Sequence, residues 1–280
     1  MTTYGMVIDI DRCTGCYLCF LACRDEHVGN DHRPVAAAQP AAGHKWIDVR
    51  EEERGALPRV KVDYTPVLCL QCAKAPCLAA AHNGAVTRRP DGIVVIDPDK
   101  AVGQSGIVRA CPYGAIFWNA DLKIPQKCTF CAHLIDQGWK EPRCVEACPT
   151  QAIVFGDLAD PASDVARLRA SRPVEELRPD LGSRPAVGYH GLPRRFVAGE
   201  IAFADRPETP AEGVAVALRL EGDARATATD NYGEFAFTGL PAQGTCALKI
   251  EHPGYVTREL ALSARADLDL GTIILERAPG

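Results

Sequence analysis

Of the thirteen cysteines in this chain, twelve fall between Cys13 and Cys148, and only Cys246 stands apart. They sit at tight gaps. CTGCYLCFLAC supplies Cys13, Cys16, Cys19 and Cys23, and CLQCAKAPC supplies Cys69, Cys72 and Cys77. A lone Cys111 opens CPYG, and CTFCAHLIDQGWKEPRCVEACP supplies Cys128, Cys131, Cys144 and Cys148. A fold that gathers so many thiols has little freedom, because each two-residue gap demands a tight loop with both sulfurs on one side. The run C-x2-C-x2-C-x3-C-P lets one loop offer three thiolates to an iron-sulfur cubane while its fourth cysteine serves the other cluster of a pair.

Read as four such motifs, the chain lacks cysteine at four positions, which hold Ala81, Ala101, Gln104 and Ile107. The crossing rule allows three ways of pairing the motifs. If the first pairs with the second, Cys13, Cys16 and Cys19 lack a fourth partner and Cys148 is stranded. If the first pairs with the third, Cys128, Cys131 and Cys144 fall short and Cys23 is stranded. The nested pairing, first with fourth and second with third, leaves no remainder. It yields Cys13, Cys16, Cys19 with Cys148; Cys128, Cys131, Cys144 with Cys23; and Cys69, Cys72, Cys77 with Cys111. All four gaps then fall on one absent site, a pattern that random loss of cysteines would rarely produce.

Other uses of cysteine fit less well. A secreted disulfide framework is disfavoured by the tight C-x2-C spacing and by an N-terminus, MTTYGMVIDIDRC, without signal-peptide character. Zinc binds paired C-x2-C motifs, but the triple spacing and the Cys-Pro endings favour iron-sulfur, and no histidine is needed to complete a set, which disfavours Rieske ligation. A formal net charge of -5 without runs of one sign gives no reason to expect nucleic acid. No stretch is long and apolar enough for a membrane span. The expectation is a cytoplasmic protein, export with a signal-bearing partner being compatible.

The expected fold class is α+β: a duplicated bacterial ferredoxin-like domain over 1–156, an extended connector with a short helix over 157–198, and an all-β sandwich over 199–280. GAVTRRPDGIVVID (84–97) predicts a hairpin about Asp91-Gly92, and CPYGAIFW (111–118) and CPTQAIVFGD (148–157) read as copies of one turn-and-strand unit. DPASDVARLRAS (160–171) predicts a helix with Asp160 as cap. Alternation in VAVALRL, EFAFTGL, CALKIE and LDLGTIIL predicts sandwich strands. Cys246 reads as a small buried hydrophobe, and Asp230 and Asn231 as an ordinary turn.

The remaining polar candidates carry weaker signals. His27, His44, Trp46 and His82 read as satisfied core or surface residues ahead of contacts to a partner near a cluster, Lys127 as a solvated lysine ahead of one whose charge tunes a cluster's potential, and REEER (50–54) as an exposed face. No catalytic residue is expected in this chain.

The stretches CFLACRDEHVGND (19–31), QPAAGHKWIDVREEERG (39–55), VDYTPVLCLQCAKAPC (62–77) and CPYGAIFWN (111–119) resemble the iron-sulfur small subunits of the dimethyl sulfoxide reductase family. The resemblance covers roughly the first 195 residues and implies 4Fe-4S clusters and a large catalytic partner carrying a molybdenum or tungsten bis-pyranopterin guanine dinucleotide. Ordinary members have four clusters, so three clusters with an appended sandwich depart from the pattern. That combination is similar to the branch whose enzymes hydroxylate polyhydroxylated aromatics or move hydroxyl groups between them. The run TDNYGEFAFTGLPAQGTCALKIEHPGY (229–255) resembles carboxypeptidase regulatory-like or Cna-B-like domains, which are small transthyretin-type sandwiches. The alternatives are a related subunit passing electrons to or from an external carrier, and a freestanding polyferredoxin.

Overall fold

The computed structural model describes residues 2–241, 245–263 and 266–279. They form two units, 1–52 with 63–192 and 53–62 with 193–280. The first unit begins with β1 (Tyr4–Asp9), α1 (Leu18–His27), β2 (Ile47–Ala56), β3 (Arg59–Leu68), α2 (Pro76–Ala79), β4 (Val86–Arg88) and β5 (Val94–Ile96). It continues with α3 (Gly106–Arg109), β6 (Ile116–Asn119), β7 (Ile124–Lys127), α4 (Ala132–Asp136), α5 (Arg143–Glu146), β8 (Ile153–Asp157), α6 (Asp164–Ser171) and β9 (Val187–His190).

β1 lies in the middle of a three-stranded sheet, antiparallel to β8 and parallel to β9. Its central place explains why every residue from Gly5 onward is buried. The hairpin expected about Asp91-Gly92 is present as β4 and β5, with Val86 opposite Ile96. The two Cys-Pro units continue into β6 and β8. Among the described residues the helices are short, the longest being the ten residues of α1, because the chain is repeatedly diverted into cysteine loops. No helix of the described residues is long and apolar enough to cross a membrane.

The stretch read as a connector folds differently from that expectation. Residues 157–192 belong to the first unit, and the division falls after Leu192. β9 completes the sheet of β1, so this stretch is core-forming structure. The predicted helix is α6, but its cap is Ser163, whose Oγ accepts from Ala166 N at 3.2 Å. Asp160 instead uses its carboxylate on the N–H of Ala162 at 2.9 Å, closing the turn before the helix.

The second unit contains β10 (Arg195–Phe203), β11 (Ala215–Leu220), β12 (Asp223–Ala228), β13 (Glu234–Leu240), β14 (Thr245–Glu251), β15 (Arg258–Ser263) and β16 (Leu268–Leu275). Two sheets, ordered β13-β10-β16 and β12-β11-β14-β15, share one apolar core that includes Phe203, Phe235, Leu218, Leu248 and Leu275. Strict alternation in β13 and β14 sends Phe235, Phe237, Cys246 and Leu248 inward. Residues 242–244, inside the sequence run that resembles regulatory-like domains, lie outside the described residues. Asp230 Oδ1 accepts from the N–H groups of Tyr232 and Glu234, both at 2.9 Å, which is the ordinary turn expected.

The tip of the β2–β3 hairpin, residues 53–62, groups with the second unit. There Arg54 pairs with Asp267 at 2.6 Å, and the other carboxylate oxygen of Asp267 accepts from Phe196 N at 2.9 Å. REEER is therefore exposed only in part: Arg50 to Glu53 face outward, while Arg54 is half-buried in this pair.

Candidate iron-sulfur centres

None of the thirteen cysteines is in a disulfide. What organises them is a backbone device repeated in each loop. In the first C-x2-C pair of each three-cysteine motif the second inner residue has a left-handed φ: Gly15 at 66°, Gln71 at 51° and Phe130 at 54°. The reversal folds the loop tightly enough to bring both sulfurs to one side, and for the two non-glycine residues it costs about 1 kcal/mol each. At position 15 only glycine fits, since a Cβ there would stand 2.4 Å from the Tyr64 ring. The third cysteine of each complete motif then lies one residue into a helix, Cys19 in α1, Cys77 in α2 and Cys144 in α5.

The fourth cysteines use another repeated turn. After Cys111 and Cys148 the chain reaches a left-handed residue, Gly114 (φ 67°) or Gln151 (φ 53°), before entering β6 or β8. Gly114 N–H donates to Cys111 O at 3.2 Å and Gln151 N–H to Cys148 O at 3.1 Å. In the second copy Ala152 N–H donates to Cys148 Sγ at 3.2 Å. Cys23 differs, being carried within α1.

The thiols act on one another in fours. Burial pushes Cys19 up to about 12, reinforced by the thiols of Cys13, Cys148 and Cys16. Burial raises Cys23 and Cys144 well above the ordinary thiol range; Cys128 and Cys131 act on both, and Cys23 also acts on Cys144. Burial pushes Cys72 up to about 11, reinforced by Cys69, Cys111 and Cys77. Those last four thiols line one cavity with Val94 and Tyr113.

Between the groups, Cys19 acts on Cys23 and Cys144, and Cys69 acts on Cys128. The three groups therefore form a row, with Cys23, Cys128, Cys131 and Cys144 in the middle. Each group offers four sulfurs, most of them buried although Cys16 is exposed, and amide N–H groups reach Cys128 Sγ and Cys148 Sγ. This donor set fits a 4Fe-4S cluster, whose iron deprotonates its thiols and supplies the missing positive charge.

The fourth group has lost its sulfurs and kept its loops. Gly103 (φ 80°) occupies the left-handed place between positions 101 and 104, and α3 begins one residue before Ile107. Ala81 is followed by left-handed Gly84 (φ 66°) and then by β4, as Cys111 and Cys148 are followed by theirs. Ala101 and Ile107 are fully buried in one apolar cluster, and Ala81 packs against it. Three of the four positions, 81, 101 and 107, thus meet in one apolar cluster. Cys77 and Cys111 border the same apolar cluster, so the erased site adjoins the end of the row that they occupy.

Several polar residues depart from the sequence reading. Lys127, expected to be solvated, is 2% exposed, because β7 places it beneath β5 with its Nζ on the Val94 and Cys128 carbonyls. His27, His44 and Trp46 are core residues, but among the described residues His27 Nδ1, His44 Nδ1 and Trp46 Nε1 have no hydrogen-bond partner. His27 Nε2 lies 3.7 Å from Cys131 Sγ, and His44 Nε2 lies 3.0 Å from Trp118 O. His82 is exposed. Gln71 was not singled out from sequence; its position between two cysteines was the only signal.

A family model described as a 4Fe-4S dicluster domain matches residues 60–158, and one described as a carboxypeptidase regulatory-like domain matches 199–276. The pyrogallol hydroxytransferase small subunit of Pelobacter acidigallici is 37% identical over 98% of this chain and 100% of its own length. A sulfite dehydrogenase subunit from Allochromatium vinosum is 35% identical, covering 70% of this chain and 85% of that one. The arsenate respiratory reductase iron-sulfur subunit of a Shewanella species is 31% identical, covering 66% and 94% respectively. With its cysteine loops and these relatives, the chain belongs to the electron-transferring iron-sulfur subunits of the dimethyl sulfoxide reductase family of molybdopterin oxidoreductases.

Proposed function

We propose that this chain serves a molybdenum or tungsten bis-pyranopterin enzyme of the transhydroxylase or hydroxylase type, acting on polyhydroxylated aromatics, whose active site lies in a large partner subunit. The observation that carries this reading is the end-to-end match, sandwich included, to a pyrogallol hydroxytransferase small subunit, whereas the sulfite dehydrogenase and arsenate reductase relatives match 70% and 66% of the chain. The C-terminal sandwich is assigned to the transthyretin or Cna-B-like group.

Three 4Fe-4S clusters are assigned to Cys13, Cys16, Cys19, Cys148; to Cys23, Cys128, Cys131, Cys144; and to Cys69, Cys72, Cys77, Cys111. When bound, they supply one-electron exchange in single steps. The chain's own residues keep most of the thiols out of water and aim amide N–H groups at the sulfurs of Cys128 and Cys148. Moving a hydroxyl between aromatic rings consumes no external electrons, so a row lacking its terminal site is compatible with that chemistry.

A second reading, in which the chain exchanges electrons with an external carrier, is supported by relatives that belong to a dehydrogenase and a reductase. Co-purification from native cells, metal analysis and reduced-state EPR decide between them. The proposal expects about twelve irons per chain, a molybdenum- or tungsten-bearing partner, and turnover of polyphenols without added acceptor. Strict dependence on an added acceptor favours the second reading, and an iron-loaded chain without a partner makes it a freestanding polyferredoxin.

A further inference from the structure

Lys127 ends β7 with its side chain almost fully buried. Its Nζ donates to the carbonyls of Val94 and Cys128, the latter at 3.0 Å, and among the described residues no carboxylate pairs with it. A buried ammonium is unfavourable unless a counter-charge lies nearby, and two carbonyl dipoles replace only part of its hydration. The two carbonyls it holds belong to residues at two of the cysteine groups. Val94, whose carbonyl it holds, lines the cavity of Cys69, Cys72, Cys77 and Cys111, while Cys128 belongs to the middle group of the row.

Gln71 completes a bridge between the two groups. Its Oε1 accepts from Val94 N–H at 2.8 Å and its Nε2 donates to Cys128 O at 3.0 Å. Lys127 and Gln71 therefore bind the same two backbone units, and Gln71 itself sits in the left-handed position between Cys69 and Cys72. Charge on Lys127 is felt at Cys77 and Cys111 on one side and at Cys128 on the other. It has no part among the charges acting on Cys13 and Cys19.

We propose that Lys127 is the shared counter-cation of two neighbouring cysteine groups, raising the reduction potentials of the clusters they hold and leaving that of the Cys13, Cys16, Cys19 and Cys148 group unchanged. This rests on the assignment of clusters to those cysteines. Each cluster gains one electron on reduction, supplied in a titration by dithionite, and becomes one charge more negative. A fixed cation beside it therefore stabilises the reduced form more than the oxidised form. Lys127 is a positioning residue in this sense, acting through the cysteines around it.

The test is an EPR-monitored redox titration of the complex carrying wild-type, Lys127→Gln or Lys127→Arg chain, with iron counted in each. The Gln variant keeps hydrogen-bond donors and loses the charge, so two of three midpoints are expected to fall while the third stays; the Arg variant keeps the wild-type pattern. Full iron with no midpoint moved, all three moved alike, or an equal fall in Lys127→Arg overturns the proposal. If Lys127→Gln loses iron, the Arg variant decides by the same criterion. Wild-type complex without iron would instead defeat the cluster assignment itself.

Discussion

The Gln104 side chain holds the backbone of His82 at both ends, accepting from its N–H at 2.9 Å and donating to its carbonyl at 3.3 Å. His82 follows Ala81, so this clasp joins two parts of the erased group, the place of a second ligand and the place of a fourth. An amide here does structurally what a shared metal cluster does elsewhere in the chain.

Because the loops around the erased group survive, restoring the thiols should restore the site. The quadruple variant Ala81→Cys, Ala101→Cys, Gln104→Cys, Ile107→Cys is expected to bind about sixteen irons per chain in place of about twelve after anaerobic reconstitution. Iron counts equal to wild type would mean that the apolar cluster has closed the site.

Cys111 and Cys246 look alike in isolation and should behave oppositely. Cys111→Ser is expected to remove about four irons, with the EPR signals of the other groups retained. Cys246→Ala, in the sandwich core, should leave iron unchanged and cost about 1 kcal/mol of stability. Iron loss from the Cys246 variant would contradict the division into three groups.

Within the second unit, Asp267 answers both Arg54 and Phe196 N. Asp267→Ala removes the carboxylate from Arg54, which keeps its bond to the Arg194 carbonyl at 3.2 Å, and from the Phe196 N–H, and is expected to destabilise that unit by about 2 kcal/mol. Chemical denaturation followed by a probe in the sandwich, such as Tyr232, measures it. A loss below about 1 kcal/mol would mean that water replaces the carboxylate.

Asp157 gives the first unit an acid-sensitive contact. The N–H of Thr3 and then that of Ala159 hold its carboxyl below the usual carboxylate range. A depressed folded value means that this stabilisation is complete above the unfolded value of about 4 and disappears as pH falls through the folded value. Asp157→Asn should therefore melt below wild type at neutral pH, with the gap closing in acid. A gap independent of pH would show that charge is not involved.

How far the sequence reaches is clearest at Cys111. Ligand spacing is a short-range property: two-residue gaps force tight loops whatever surrounds them, so the grouping of cysteines could be reasoned out from chain order alone. The hairpin at Asp91-Gly92 and the strands β13 and β16 were legible for the same reason, since turn residues and period-two alternation are local. Lys127 was not legible, because nothing in QKCTF distinguishes a solvated lysine from one beneath β5; that difference depends on where Val94, thirty-three residues earlier, comes to lie. Likewise, residues 157–192 lack a strong period and read as connector, yet β9 is held by pairing with β1 across most of the chain. Spacing chose the thiols and their loops. Tertiary packing alone decided that the groups form a row, that three positions of the erased one meet in an apolar cluster, and that a buried cation stands between two of the others, because charge and burial are set by neighbours in space.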